Sequence, residues 1–181
     1  MKEVKYLKTF LAFFSLFSFL FVLSGCDLNN THLVEISYES NGGTAYPSIS
    51  IISNSHQFSP PIPQKENYIF ANWYIDEALT AVYTYQSLLL NKTLTLYAKY
   101  LSLEQDDYVV VYFQSVGGTF IPNQILEKGT VATRPEDPRV ENFTFDDWYV
   151  YNLEQGTYDL FNFESQIHEH TTLVALYNEN N

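Results

Sequence analysis

Tyr38-Glu39-Ser40-Asn41-Gly42-Gly43-Thr44 returns 75 positions later as Phe113-Gln114-Ser115-Val116-Gly117-Gly118-Thr119. The same offset sets Pro47 on Pro122, Pro63 on Pro138, Phe70 on Phe145 and Trp73-Tyr74 on Trp148-Tyr149, so both tryptophans of the chain occupy equivalent places. Farther on, Val82 to Ser87 matches Leu160 to Ser165, and Leu94 to Tyr100 matches Thr171 to Tyr177. A repeat of this length makes each copy one supersecondary unit. The copies run over 33–100 and 108–177, with an acidic linker, 101–107, between them and a short tail, 178–181.

Inside each copy the apolar residues alternate. Val34, Ile36 and Tyr38 are separated by Glu35 and Ser37, and Val109, Val111 and Phe113 take the same places in the second copy. Period two is the signature of half-buried strands. Asn41-Gly42 and Gly117-Gly118 provide positions tolerant of positive φ, which a tight reversal needs. Return strands are expected over Ile49–Ile52 and Asn123–Leu126, and closing strands over Leu94–Tyr100 and Thr172–Tyr177. The prolines at 60, 61, 63, 135 and 138 cannot donate to a ladder and mark the connection to a third strand. No stretch has a sustained helical period; at most a turn of helix follows Tyr85 and Phe163.

These residues resemble the internalin-type B-repeat, or Listeria-Bacteroides repeat, found in tandem on bacterial surface proteins. The first copy carries the resemblance through Ser40 to Thr44, Asn67 to Tyr74, Asp76 to Thr80 and Leu96-Tyr97-Ala98-Lys99-Tyr100. The second carries it through Gly117 to Thr119, Asn142 to Tyr149 and Leu173-Val174-Ala175-Leu176-Tyr177. The resemblance implies an α+β, strongly β-dominated protein of two tandem β-grasp, ubiquitin-like modules. It also implies a surface role without catalysis, either adhesion to an extracellular protein or, alternatively, binding of a carbohydrate or cell-wall component. Where the family has glycine, this chain has Asn67, Asn142, Asn72 and Asp147, the residue types that best tolerate the left-handed region. A left-handed residue ahead of Trp73 or Trp148 would form a bulge and bring the indole onto the face of Phe70 or Phe145. Tyr100 and Tyr177 replace the family's closing Trp, a change expected to leave some volume unfilled.

The N-terminus has Lys2, Lys5 and Lys8 ahead of an apolar run from Phe10 to Leu23, the layout of a secretory signal. Leu23-Ser24-Gly25-Cys26 resembles the lipobox of bacterial lipoproteins. That resemblance implies cleavage after residue 25, acylation of Cys26, and a mature chain held on the extracytoplasmic face of the cell membrane. An uncleaved helical anchor is the other reading, and it exports the remainder equally. The tether, 26–32, has six residues after Cys26, roughly 20 Å at full extension. Cys26 is the only cysteine, so neither a disulfide nor a thiolate metal site stabilises the exported part.

Removing residues 1–25 leaves six Lys and Arg against 20 Asp and Glu, a net charge of −14. That charge disfavours nucleic acid as a partner. No nucleophile motif or phosphate loop is present, and no cofactor is expected. His168-Glu169-His170 with Glu164 is the one candidate metal set, but the first copy has Asn91, Lys92 and Thr93 there, so an exposed loop is expected. Asp106-Asp107 and Asp146-Asp147 lack the spacing of a calcium loop and are expected to be solvated. Tyr108, Val110 and Tyr112 put apolar side chains on the second face of a strand whose counterpart carries Glu35 and Ser37. That face either packs between the modules or meets a partner.

Overall fold

A computed structural model describes residues 31–180. The signal segment, the lipobox and Cys26 lie outside the described residues.

The first repeat is a four-stranded mixed sheet. Its strands are β1 (Leu33–Glu39), β2 (Ile49–Ile52), β3 (Tyr68–Tyr74) and β4 (Thr93–Ser102), with helix α1 (Tyr85–Leu90) before the last. The spatial order is β2-β1-β4-β3. β1 and β4 lie parallel at the centre, with β2 and β3 antiparallel on the flanks. The closing strand therefore enters the middle of the sheet, a parallel connection that needs a long crossover, and α1 lies within it. Asn91 Nδ2 donates to the Ser87 carbonyl (2.8 Å) and ends the helix.

The second repeat comprises β5 (Tyr108–Gln114), β6 (Gln124–Glu127), β7 (Thr130–Val131), β8 (Phe143–Asn152), β9 (Thr157–Leu160), β10 (Gln166–Ile167) and β11 (Thr171–Glu179). The order β6-β5-β11-β8-β9 repeats the first sheet and adds β9, while β7 and β10 form a separate two-stranded ribbon. No helix forms after Phe163. Asn162 closes a single turn through Ser165 N, and the chain then enters β10, whose Ile167 is buried in the second core. β4 continues to Ser102, two residues into the stretch read as linker, and β11 continues to Glu179.

Each core is built around its tryptophan. Trp73 and Phe70 pack with Val34, Ile36 and Leu96; Trp148 packs with Val109, Val111, Phe113 and Leu173. Phe70 contacts Trp73 with ring centroids 5.6 Å apart, and Phe145 contacts Trp148 at 5.7 Å. Phe and Trp share a face because one extra residue is inserted between them. Phe70 and Trp73 pair with Tyr100 and Ala98, and Phe145 and Trp148 pair with Tyr177 and Ala175. The bulge is as expected but its cause differs. Asn67 (φ 62) and Asn142 (φ 65) are left-handed, whereas Asn72 and Asp147 are not among the positive-φ residues. What holds Asn72 is a contact to the second repeat.

In the β1 hairpin the two left-handed positions are Asn41 (φ 47) and Gly42 (φ 83), and in β5 they are Val116 (φ 47) and Gly117 (φ 85). Two successive left-handed residues define the turn that matches strand twist. The Gly43 and Gly118 amides close it on the Ser40 and Ser115 carbonyls (2.9 and 3.0 Å). Val116 is β-branched and exposed, so it bears the strain of φ > 0 without gaining a packing contact. Asn41, its counterpart, donates through Nδ2 to the Ala98 carbonyl (2.7 Å). Val116→Asn is expected to raise stability by about 1 kcal/mol, read as a higher midpoint in denaturant at unchanged slope.

The closing tyrosines do more than fill space. Tyr100 Oη donates to the Ser40 carbonyl (2.9 Å), and Tyr177 Oη donates to that of Ser115. Each hydroxyl thus ties the closing strand to the first turn, which an indole at that position could not do in the same way.

Candidate functional site: the groove between the repeats

The bulge in β3 turns backbone carbonyls away from the sheet ladder, and the second repeat supplies their donors. Tyr112 Oη donates to the Phe70 carbonyl (2.9 Å), and Asn123 Nδ2 donates to that of Ala71 (2.7 Å). Asn72 completes the clasp with its own amide. Its Nδ2 donates to the Asn123 carbonyl (2.7 Å), and its Oδ1 accepts from the Asn123 backbone N–H (2.9 Å). Asn72 is only 4% exposed, so these are buried bonds whose loss would leave polar groups unsatisfied. Burial pushes the Tyr112 hydroxyl up to about 12, so it remains a donor at any physiological pH.

Next to the clasp, Phe120 crosses from the second repeat to the first core, where its ring lies 5.1 Å from that of Tyr83. Tyr83 is fully buried and its hydroxyl has no hydrogen-bond partner. Burial raises its pKa far above the phenol range, with smaller contributions from Tyr38 and Tyr85. The second repeat has Phe161 there, and both residues bond the preceding Trp carbonyl through backbone N–H (2.9 Å). Tyr83→Phe is therefore expected to stabilise the protein by about 1 kcal/mol. A fall in thermal midpoint would contradict this.

Beside the clasp the two repeats enclose a groove of about 870 Å³. One wall is the Pro-rich connection and β3 of the first repeat, including Pro60, Tyr68 and Trp73; the other is the end of β5 and its turn, from Tyr112 to Gly118. Ile62, Tyr68 and Val116 are exposed at its mouth. Lys65 Nζ donates to the Asn41 carbonyl (2.9 Å) and lies 4.4 Å from the Tyr68 ring centre, which holds that ring against the wall. No Asp or Glu lines the groove, in a chain dominated by acids. The equivalent surface of the second repeat, Pro135 to Val140 with Phe143 to Phe145, forms a hollow of about 770 Å³ with no wall from another repeat.

The three residues singled out on β5 part company here. Val110 is fully buried, and Tyr112 is bonded to the first repeat, so packing between the modules describes Tyr112. Tyr112 also lines the groove. Tyr108 is 43% exposed. The signal for the junction was the apolar second face of β5. Nothing in the sequence marked Asn72 and Asn123 as partners.

His170 does not converge with His168 on a metal. Its Nδ1 accepts from the buried Val110 N–H (3.0 Å), the role that the Lys92 carbonyl plays for Glu35 in the first repeat. The His168 ring lies beside Gly129. Among the described residues no group of three or more His, Cys, Asp or Glu could hold a metal ion. Asp147 pairs with Arg134 (2.6 Å), and Asp146 accepts from Tyr149 Oη (2.5 Å). That bond, foremost among its causes, raises the Tyr149 pKa.

Compared with known families, the chain matches the Listeria-Bacteroides repeat domain twice, at residues 35–99 and 109–176. Two similar proteins come from Evansella cellulosilytica. One, named "Putative Gly-rich membrane protein", is 31% identical over 118 residues, 65% of this chain and 13% of its own length. The other, named "Putative membrane protein", is 30% identical over 124 residues, 68% of this chain and 18% of its own length. The chain thus spans less than a fifth of these relatives. Among the described residues no helix is long and apolar enough to cross a membrane.

Proposed function

Since the chain belongs to the Listeria-Bacteroides repeat domain family, with two copies in tandem, we propose that it is a non-catalytic, lipid-anchored bacterial surface protein. In this reading it binds an extracellular protein through the groove between its repeats. The observation that carries the proposal is the groove itself. The amide clasp fixes two separately cored repeats into one frame, so an open groove of about 870 Å³ exists before any ligand arrives. A preformed cleft avoids much of the ordering cost of binding. Each repeat is read as a β-grasp unit, supported by the parallel central pair in both sheets and by α1 in the first. The membrane names of the two relatives and the Leu23-Ser24-Gly25-Cys26 motif support anchoring by acylation of Cys26.

Labelled palmitate should enter the wild type and not Cys26→Ala, and an unlabelled wild type would remove the anchor from the proposal. A photo-crosslinker at Ile62 or Val116 on living cells should trap one protein species that a crosslinker at Leu90, more exposed still but away from the groove, does not trap. Glycan binding abolished by Tyr68→Ala, with no protein adduct, would replace the protein partner with a carbohydrate.

A further inference from the structure

The face of β5 that meets the first repeat continues sideways across the second sheet. Tyr112 stands opposite Thr172 on β11, whose neighbour on that face, Val174, stands opposite Tyr149 on β8. Tyr149 and Tyr151 stand opposite Leu160 and Tyr158 on the edge strand β9. The row is apolar or aromatic at most positions and is covered by the first repeat only at its β5 end. At the far end Tyr151 is 46%, Tyr158 48% and Leu160 62% exposed. The Tyr151 and Tyr158 rings pack together at 5.1 Å, which keeps them upright as a ridge.

β9 is an edge strand of the second sheet. Phe161 N–H bonds the Trp148 carbonyl. Because hydrogen-bonded positions alternate along an antiparallel pair, Asp159 and Thr157 share that pattern, while Tyr158 and Leu160 point N–H and C=O outward. Edge strands are ordinarily blunted by lysine, proline or a bulge. Thr157-Tyr158-Asp159-Leu160 has none of these; it is four residues long and its one charge is Asp159, which a basic strand would complement. The first repeat has only the single bridge Tyr74–Val82 here, after a tight loop that Asp76 closes by accepting from Thr80 and Ala81 N–H. The edge is therefore peculiar to the second repeat.

Charge selects the occupant. From Val140 to the C-terminus the chain has eight Asp and Glu and no Lys or Arg. Two copies paired through β9 would bring like charges together, whereas a basic strand would be drawn in. We propose that β9 and its Tyr151-Tyr158-Leu160 ridge dock an extended basic segment of another protein, added as a sixth strand, with backbone bonds to residues 158 and 160. This surface is separate from the groove, and neither reading depends on the other.

The full-length protein in detergent, titrated with a synthetic peptide of alternating Lys and Val, provides the test. Amide exchange at Tyr158 and Leu160 should slow on binding, and affinity should fall as salt rises. The peptide with Glu in place of Lys should not bind. Leu160→Pro removes an outward donor without touching the β8 ladder and should weaken binding at least tenfold. Glu154→Lys with Asp159→Lys should weaken it comparably in a variant whose backbone spectrum elsewhere is unchanged. Tyr68→Ala, in the groove, should leave it unaltered. The proposal is overturned if the peptide does not bind, if it binds without protecting residues 158 and 160, if Leu160→Pro binds as tightly as wild type, or if β9 protection instead follows dimer formation.

Discussion

Asn72→Ala is expected to lower stability by roughly 3 kcal/mol and to separate the unfolding of the two repeats. The substitution removes two inter-repeat hydrogen bonds and leaves the Asn123 N–H and C=O without their partner at a buried junction. Each orphaned group costs about 1–3 kcal/mol, and no water-sized replacement is supplied by an alanine methyl. Stability in a tandem array is the sum of the intrinsic stability of each unit and the coupling at each junction. Weakening that coupling should turn one transition into two. Each repeat has one tryptophan, Trp73 or Trp148, so fluorescence and amide exchange can follow them separately. Transitions should coincide in the wild type and diverge in the variant. Asn123→Ala leaves its own backbone bonds to Asn72 intact and should cost less, about 1–2 kcal/mol. The double variant should show a non-additive coupling of at least 1 kcal/mol. Additive effects with coincident transitions would mean that the clasp does not couple the repeats.

The clasp surfaces of the first junction are not repeated on the outer sides of the two repeats. The first repeat offers Ala71 and Asn72 at its junction, but the second has Asp146 and Asp147 at those places, both exposed to solvent or paired with polar groups. At the opposite end, the first repeat has Glu35, Ser37, Ala45 and Ser48 where the second presents Val110, Tyr112, Phe120 and Asn123. Ser37 is occupied with Thr95 (3.0 Å), not with another repeat. The hollow beside Pro135 to Val140 is thus the uncompleted twin of the groove.

How much of this was legible in sequence depended on whether the cause was local. The first turn was readable because Asn41-Gly42 announces positive φ within two residues, whereas in the second the left-handed pair is Val116-Gly117, one residue ahead of the Gly117-Gly118 expected, since nothing local marks a β-branched residue for that region. The left-handed Asn67 and Asn142 were readable for the same reason as the first turn. Asn72 carried an identical local signal and was misread, because its partner, Asn123, lies 51 residues away and no periodicity connects them. Val110 and Tyr112 were visible as apolar residues on the wrong face of a strand, which indicates that something covers them without saying what. Asp147 stands in the family's glycine position but pairs with Arg134, another contact that spacing does not encode. β9 escaped notice since Tyr158 sits in an insertion with no counterpart in the first repeat, Leu160 matches Val82, which makes only a single bridge there, and alternation over four residues is too short to tell a strand from a loop.

Gly43→Ala is expected to cost roughly 3 kcal/mol, although Gly43 is not left-handed and Gly42, beside it, is. At Gly42 (φ +83) an added Cβ meets nothing nearer than 3.7 Å, so only the backbone preference opposes it, about 1 kcal/mol. At Gly43 the added Cβ would fall 1.9 Å from the Tyr100 hydroxyl and 2.9 Å from its ring carbon, with the Gln64 carbonyl at 3.1 Å behind. The tyrosine must move, which breaks its bond to the Ser40 carbonyl and disturbs its edge contact with Phe70. Gly118 repeats the arrangement, its Cβ falling 2.4 Å from the Tyr177 hydroxyl with the Ser115 carbonyl at 3.0 Å and Pro138 Cβ at 3.2 Å, so Gly118→Ala should be comparably costly. Tyr100→Phe provides the control. Alone it loses one hydrogen bond, about 1 kcal/mol, but it also removes the nearest clashing atom. In that background Gly43→Ala should lose at least half of its effect, measured as a double-mutant cycle from denaturant midpoints. If Gly42→Ala proves the more damaging of the two, the second glycine of the repeat motif serves the turn alone. If Gly43→Ala is worse and Tyr100→Phe relieves it, that glycine is there to let the closing tyrosine reach the turn.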